Sequence, residues 1–301
     1  MNFIYRFWDR VFFCKFDPFS LTIFRIIFGT SILTVFIASI PNWENLYSSN
    51  GMMSLNEATL PPLPMDGVSI FHYLELIVPI KFFLWLGIVS SITFTIGLFT
   101  KFSTVILFIL FLSMFYRNPF VACGYDVVFR ILLFFNLFVP LNYYFSIDNL
   151  FIKKRSELPL IWPIRLMQIS IASIYLITFY RKVAGEPAWL NGDAIYWIIT
   201  NKYWSIFPYP ELFYKWGGIL SKLLTYVTLM IEISFPFLVW FKKTRLLIIL
   251  IATIFHICIA LVIPETFPFT MVMISSFILF LPSEVMRGWF DNKFKVTQLD
   301  D

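Results

Sequence analysis

Charge is scarce in this chain. Of its 301 residues only 14 % are charged, whereas 59 % are hydrophobic and 21 % aromatic, led by 38 phenylalanines. Soluble domains carry roughly 45–50 % apolar and about 25 % charged residues, so this chain lacks the polar groups to cover a water-facing surface. Cysteine is almost absent too. Cys14, Cys123 and Cys258 are odd in number and show no CxxC spacing, which excludes a disulfide framework and a cysteine-rich metal site. With only His72 and His256 besides, a histidine metal centre is not expected, so no metal is assigned. Internal repeats, Ser/Gly linkers and low-complexity runs are missing as well, and with them any sign of a second domain. What the chain does have is apolar length.

Segments of about 20 apolar residues are the unit of a helix crossing the hydrocarbon core. Such segments run over Leu21–Ile40, Phe82–Leu98, Phe102–Tyr116, Val127–Phe145, Leu160–Tyr180, Ile219–Phe241, Leu246–Ile263 and Phe267–Leu281. The pattern predicts an all-α, polytopic integral membrane bundle of about eight transmembrane helices in one domain over residues 1–301. Phe102–Tyr116 and Phe267–Leu281 are short enough to be re-entrant or strongly buried. Lys and Arg gather on one set of flanks, in clusters such as Lys153–Lys154–Arg155 and Lys242–Lys243–Arg245. The net charge of +5 therefore reads as positive cytoplasmic loops, not as a nucleic-acid footprint. By the positive-inside rule both termini are cytoplasmic (N-in/C-in), and the loops Pro41–Lys81, Arg117–Asp126, Arg181–Gly218 and Pro264–Thr266 face outward. Chemistry is expected on that outer side.

At the start of the chain, Phe3, Ile4, Phe7, Val11 and Cys14 recur at helical spacing opposite Asn2, Arg6 and Arg10. This predicts a helix within residues 1–17 lying in the cytoplasmic interface, and no cleavable signal, since Asp9 and Arg10 interrupt the apolar run. The segment 282–301 reads as a short cytoplasmic tail, too small to fold alone.

Ionisable groups inside spans are costly and are candidate site residues by default. Arg25 sits one turn into the first span, where it either snorkels to the interface or serves the site. Arg165 starts its span similarly and reads as an anchor. Asp126 and Arg130 are spaced i, i+4 in GYDVVFR and can pair on one face, as a brace or as a substrate contact. Glu232 lies mid-span in LMIEISFPF, four residues before Pro236, which frees a backbone carbonyl and suits a polar cavity. His256 is mid-span in TIFHICIAL. These two sit at similar distances from the turn KKTR and so are expected at one depth, facing the bundle interior. The outward segment Thr178–Trp197 (TFYRKVAGEPAWLNGDAIYW) carries adjacent cations Arg181 and Lys182 and the aromatics Trp189 and Tyr196. For Lys182 to act as a base its amine must be neutral, and desolvation at the end of an apolar span is the expected route, with only a small part from Arg181, which is adjacent in the chain but on another helix face. Trp189 and Tyr196 are placed to close such a site against water.

Within that segment, KVAGEPAWLNG (Lys182–Gly192) resembles a lysine-bearing K-L-x-G-x-x-W-x-x-G motif. The motif occurs in bacterial horizontally transferred transmembrane (HTTM) proteins and, in looser form, in vitamin K-dependent gamma-carboxylase. Here Val183 replaces the Leu, and one extra residue separates Gly185 from Trp189. Further along, MIEISFPFLVWFKKTR and FHICIALVIPETFPFTMVMISSFILFLPSE resemble the family's acidic span, basic turn, F-H span and P-x-E exit. LTIFRIIFG and RNPFVACGYDVVFRILLFFNLFVP match more loosely, so the resemblance covers Phe19–Glu284 in order. It implies a gamma-carboxylase-like membrane enzyme, a lyase or oxygenase. Such an enzyme couples oxidation or epoxidation of a reduced quinone (a vitamin K or menaquinone-like hydroquinone), with O2 and CO2 as co-substrates, to carboxylation or another modification of a peptide or small substrate. By the same resemblance Lys182 is the catalytic base, and His256, also taken as catalytic, belongs to the quinone or glutamate pocket. The residues marked above, Glu232, Asp126, Arg130, Arg25, Trp189 and Tyr196, are the candidates for binding substrate or cofactor. The expected location is the bacterial cytoplasmic membrane, with the lipid bilayer and a secreted peptide or substrate-delivering protein as partners. The carboxylase carries a large extramembrane portion that engages its peptide, and this chain ends at Asp301. A non-catalytic membrane partner in maturation or export of a secreted peptide toxin is therefore the competing reading. A transporter is weaker, since no inverted repeat is visible.

Overall fold

A computed structural model describes residues 2–53, 69–151, 158–207 and 209–294, and over these residues the chain is helical. The helices that matter below are α1 (Asn2–Phe12), α2 (Phe19–Ser39), α3 (Ile80–Ile96), α4 (Thr100–Arg117), α5 (Gly124–Asn136), α6 (Trp162–Gly185), α7 (Ile219–Leu238), α8 (Arg245–Val262), α9 (Phe267–Phe277) and α10 (Ser283–Phe294). They form two compact units. One comprises residues 1–167 with 282–301, and the other residues 168–281, so the division falls inside α6.

Among the described residues, five stretches are long and apolar enough to cross a membrane: Phe19–Tyr47, Thr100–Arg117, Trp162–Gly185, Ile219–Leu238 and Arg245–Val262. The bent pair Pro264–Phe280 and Ser283–Trp289, angled by 107°, makes up to six. The chain is thus a multi-pass membrane protein. α3, with 17 residues, is a shorter apolar helix. α4 runs 18 residues, so the segment read as short is a full-length span.

The fourth segment departs from expectation. The apolar run Val127–Phe145 does not make one helix, because α5 stops at Asn136 after 13 residues. Pro140 is the cause: a proline four residues on has no N–H to offer the Asn136 carbonyl, and it disfavours helical backbone at the residue before it. The irregular strand of backbone that follows carries carbonyls that a helix would have satisfied internally. Arg25 satisfies them instead. Its guanidinium is fully buried and donates to the Leu141 carbonyl at 2.8 Å and the Phe145 carbonyl at 2.5 Å. Non-helical backbone is tolerated at membrane depth when protein groups satisfy it in this way.

Hydroxyls within the helices are handled by the same logic. Thr30, Ser31, Ser91, Thr95 and Thr104 each donate to a carbonyl three or four residues back. α2 and α3 pack closely in the same unit. A Cβ at Gly87 would run into the Phe36 ring, so a glycine is what lets that ring lie against α3. The α3–α4 connection turns through Gly97 at φ 74°, and α4 then starts under Asp148. The Asp148 carboxylate accepts from the backbone N–H of Phe99 (2.7 Å) and Thr100 (2.9 Å) and from the Thr100 hydroxyl (2.8 Å). Burial alone would raise the Asp148 carboxyl, but these hydrogen bonds and one from Asn142 outweigh it and hold it below the usual carboxylate range.

The helix expected within residues 1–17 is present as α1. The expected tail is structured as far as Phe294: α10 is tied to the start of α2 through Arg287, which donates to the Asp17 carboxylate at 2.8 Å. The basic cluster Lys153–Arg155 lies outside the described residues.

Candidate functional site

The second unit holds the chemistry. On α6, Tyr175, Thr178 and Lys182 follow one another at three- and four-residue steps, which stacks them on one helix face. That face meets Glu232 of α7, His256 of α8 and Phe269 and Met273 of α9 around a cavity of about 150 Å³, completed by Ile174, Phe255 and Ile259. Three groups singled out in the sequence, Lys182, Glu232 and His256, therefore share one site.

Lys182 Nζ contacts Glu232 Oε1 directly and lies 4.5 Å from the centre of the Trp189 ring. The lysine side chain keeps 25 % of its surface exposed and the glutamate 6 %, so the pair runs from the rim of the site inward. The sequence reading gave Lys182 no carboxylate partner, and the structure supplies one. The neighbour of Lys182 is a carboxylate, whereas Arg181 is exposed. Consecutive residues on a helix point about 100° apart, which separates the two cations, while Glu232 comes from another helix altogether. A proton shared by an amine and a carboxylate can reside on either, so the pair, and not the lysine alone, is the candidate proton-handling unit.

Deeper in, the Tyr175 hydroxyl and His256 Nε2 are hydrogen-bonded at 2.8 Å. Both residues are buried. Tyr175 stacks on Phe235 with 4.3 Å between ring centres, and His256 is edged by Phe269 at 5.2 Å and Phe255 at 5.4 Å. Its backbone carbonyl accepts from the Thr270 hydroxyl at 2.9 Å, fixing α9 against α8 at this level. Two polar atoms of the site, Glu232 Oε2 and His256 Nδ1, are buried without a hydrogen-bond partner among the described residues. An unmade hydrogen bond at a buried polar atom costs about 1–3 kcal/mol, which makes both atoms contact points for a ligand.

The segment that follows Lys182 is anchored to α7. The short helix Pro187–Asn191 ends on Gly192 at φ 83°, a conformation that favours glycine. The Gly192 carbonyl then accepts from the Ser221 hydroxyl at 3.2 Å and from Thr225 at 3.1 Å. This anchoring places Trp189 over Lys182. Tyr196 is held by its backbone N–H on Ser221 Oγ, at 3.0 Å, and packs against Trp197. It does not line the cavity, so its expected part in closing the site is not seen.

Arg25, Asp126 and Arg130 belong to the other unit and are engaged there. Arg25 is the internal strut described above and does not snorkel. The Asp126 carboxylate caps the start of α5, accepting from the Cys123 N–H at 2.6 Å. Arg130 donates to the Asp126 backbone carbonyl at 3.2 Å and lies over the Phe115 ring, so the expected side-chain pair is replaced by a helix cap and a cation–π contact. That unit also has a larger cavity, of about 400 Å³, near Thr104 and Asn136. Its only ionisable lining residue is Lys101, whereas the smaller cavity brings together an amine, a carboxylate and an imidazole, so the chemistry is assigned to the smaller one.

Sequence reasoning missed Tyr175, although its seven-residue spacing from Lys182 on one helix carried the signal. It also missed Arg117, which is fully buried and donates to the carbonyls of Ser48 and Met53. No local pattern marks that strut, because both acceptors are backbone atoms far away in the chain.

Comparison with known proteins gives one family. The family model of the HTTM domain matches residues 13–284, a stretch that includes every residue of the cavity. No solved structure matches the chain.

Proposed function

The chain belongs to the HTTM domain family, and from that membership and the chemistry of the cavity we propose that it is a membrane enzyme acting on a reduced quinone. The observation that carries this reading is the convergence of Lys182, Glu232, His256 and Tyr175 on one cavity. A cavity of about 150 Å³ lined by apolar groups is of the size that accepts a single aromatic ring. Tyr175, Phe255 and Phe269 supply aromatic walls, and the unpartnered Glu232 Oε2 and His256 Nδ1 supply polar contacts, so the residues fit one hydroxyl-bearing ring. A hydroquinone bound there supplies the reducing equivalents for chemistry with O2, and the resemblance to gamma-carboxylase adds CO2 as the second co-substrate.

Under this reading Glu232 carries the one proton the pair shares, which leaves the Lys182 amine neutral, and the hydroxyl proton then goes to Lys182 Nζ. His256 and Tyr175 orient the ring through hydrogen bonds, and Trp189 covers the outer end of Lys182. The modified group belongs to a peptide or small substrate at the outer membrane face. In this arrangement α3, α5 and α9 complete eight crossings with the five long helices, with both termini inside a bacterial cytoplasmic membrane.

Purified protein in lipid nanodiscs, incubated with vitamin K hydroquinone, O2 and bicarbonate, should form the quinone epoxide, measured by chromatography. Lys182→Arg should form none while unfolding at the same temperature, because a guanidinium stays charged where the amine can release its proton. Absence of both epoxide and co-purifying quinone from the wild-type protein overturns the enzyme and leaves the non-catalytic maturation partner as the reading of the fold.

A further inference from the structure

His256 has two ring nitrogens in different situations. Nε2 is hydrogen-bonded to the Tyr175 hydroxyl at 2.8 Å, and Nδ1 is buried with no partner among the described residues. A neutral imidazole carries one proton, so the ring is either a donor at Nδ1 and an acceptor at Nε2, or the reverse. In the first arrangement the Tyr175 O–H donates to Nε2, and the single unmet group is the Nδ1–H. In the second, Nε2–H donates to the phenol oxygen. The Tyr175 proton is then left with no acceptor, and the Nδ1 lone pair is unmet as well. The first arrangement also joins the stronger acid, a phenol, to the stronger base, an imidazole nitrogen. Packing keeps the pair together: Tyr175 is 3 % exposed, His256 is 2 % exposed, and the rings of Phe235 and Phe269 wall them in.

We propose that Tyr175 is a positioning residue that holds His256 in the Nδ1–H tautomer, so that His256 meets its ligand as a hydrogen-bond donor to an oxygen atom and not as a base. Base duty is then confined to the Lys182–Glu232 pair, and the ligand class is narrowed to rings that present an oxygen acceptor to Nδ1. The tautomer stands independently of the proposed reaction, whereas the ligand oxygen rests on that reading.

The chain has two histidines, which makes a direct test practicable. Protein labelled with ¹⁵N-histidine and held in nanodiscs is observed by NMR, with His72→Gln used to assign His256. The expected spectrum shows a protonated Nδ1 and a lone-pair-bearing Nε2, and Tyr175→Phe should move the population toward Nε2–H. A wild-type His256 protonated at Nε2, or at both nitrogens, overturns the tautomer whether or not the protein turns over quinone. The ligand part is read separately with two one-ring probes of similar shape, 1,4-dihydroxybenzene and p-xylene. Tyr175→Phe should weaken the first by about fivefold, the worth of one hydrogen bond of about 1 kcal/mol, and leave the second within about twofold. Equal effects on both probes overturn the oxygen-donor role. Epoxide formation by wild-type protein reports on the enzyme reading alone, so each failure can be told from the other.

Discussion

The Lys182–Glu232 contact is the residue-level feature on which the site depends, and it has structural and chemical consequences that mutation separates. Removing one member leaves the other partly buried and uncompensated. Lys182→Met is therefore expected to cost about 2–3 kcal/mol, near the low end for broken buried pairs because the lysine side chain keeps 25 % exposure. Replacing both members by apolar groups removes the uncompensated charge, so Lys182→Met with Glu232→Leu should recover to within about 1 kcal/mol of wild type. Thermal unfolding in detergent measures both. The double variant should remain inactive toward hydroquinone, which separates loss of chemistry from loss of fold. A single variant as stable as wild type would show that the pair contributes chemistry only. At this scale the sequence was partly legible. Glu232 and His256 were visible because a bilayer makes mid-span polar residues conspicuous, and Lys182 because it stands in the outward segment that resembles the family motif. Tyr175 was not, because its hydroxyl matters only once His256 is beside it.

Among the elements, α5 and α4 show how local chemistry sets helix ends. Composition made Val127–Phe145 one apolar run, and Pro140 divides it into a helix and irregular backbone whose carbonyls Arg25 takes up. Asp148 does the corresponding work at the start of α4, accepting the Phe99 and Thr100 N–H groups that no helical carbonyl can reach. Its carboxyl is held below the ordinary range in the folded protein. A depressed carboxyl contributes stability that is fully present above the unfolded value, about 3.9, and is lost as pH falls through the lower folded value. Acidification below about pH 4 should therefore lower the melting temperature of the wild type through this group. Asp148→Asn should be less stable at neutral pH by about 1 kcal/mol and lack that acid component. Parallel melting curves of the two proteins from pH 6 to pH 3 test it, and identical acid slopes would remove Asp148 as the cause.

Across the whole chain, the distribution of Lys and Arg supports the N-in/C-in arrangement and the outer-face site. The prediction is tested in a background in which Cys14, Cys123 and Cys258, all exposed, are replaced by serine. Asn50→Cys lies in a loop expected outside and should react with a membrane-impermeant thiol reagent on intact cells. Lys243→Cys, in the expected cytoplasmic turn after α7, should react only after the membrane is opened. Reversed labelling would place the Trp189 end of the site on the inside and end the proposal of an extracytoplasmic substrate.

What the sequence determined by itself was the solvent and the secondary structure. A chain with 59 % hydrophobic and 14 % charged residues has to enter a bilayer, and a bilayer leaves helices as the way to satisfy backbone groups within each segment. That argument needs no partner residue, which is why α2, α6, α7 and α8 lie close to where the apolar runs placed them. The long-range partnerships were decided by tertiary structure alone. The same reasoning that marks Arg25, Asp126, Arg130, Lys182 and Glu232 as costly treats them alike, since each is a charge in or beside an apolar segment. Packing then gives Arg25 two loop carbonyls, Asp126 a helix start and Lys182 a carboxylate fifty residues away. Asp126 and Arg130 find partners within their own helix, three and four residues away, whereas the partners of Arg25 and Lys182 depend on which segments stand side by side, and that is set by long-range packing.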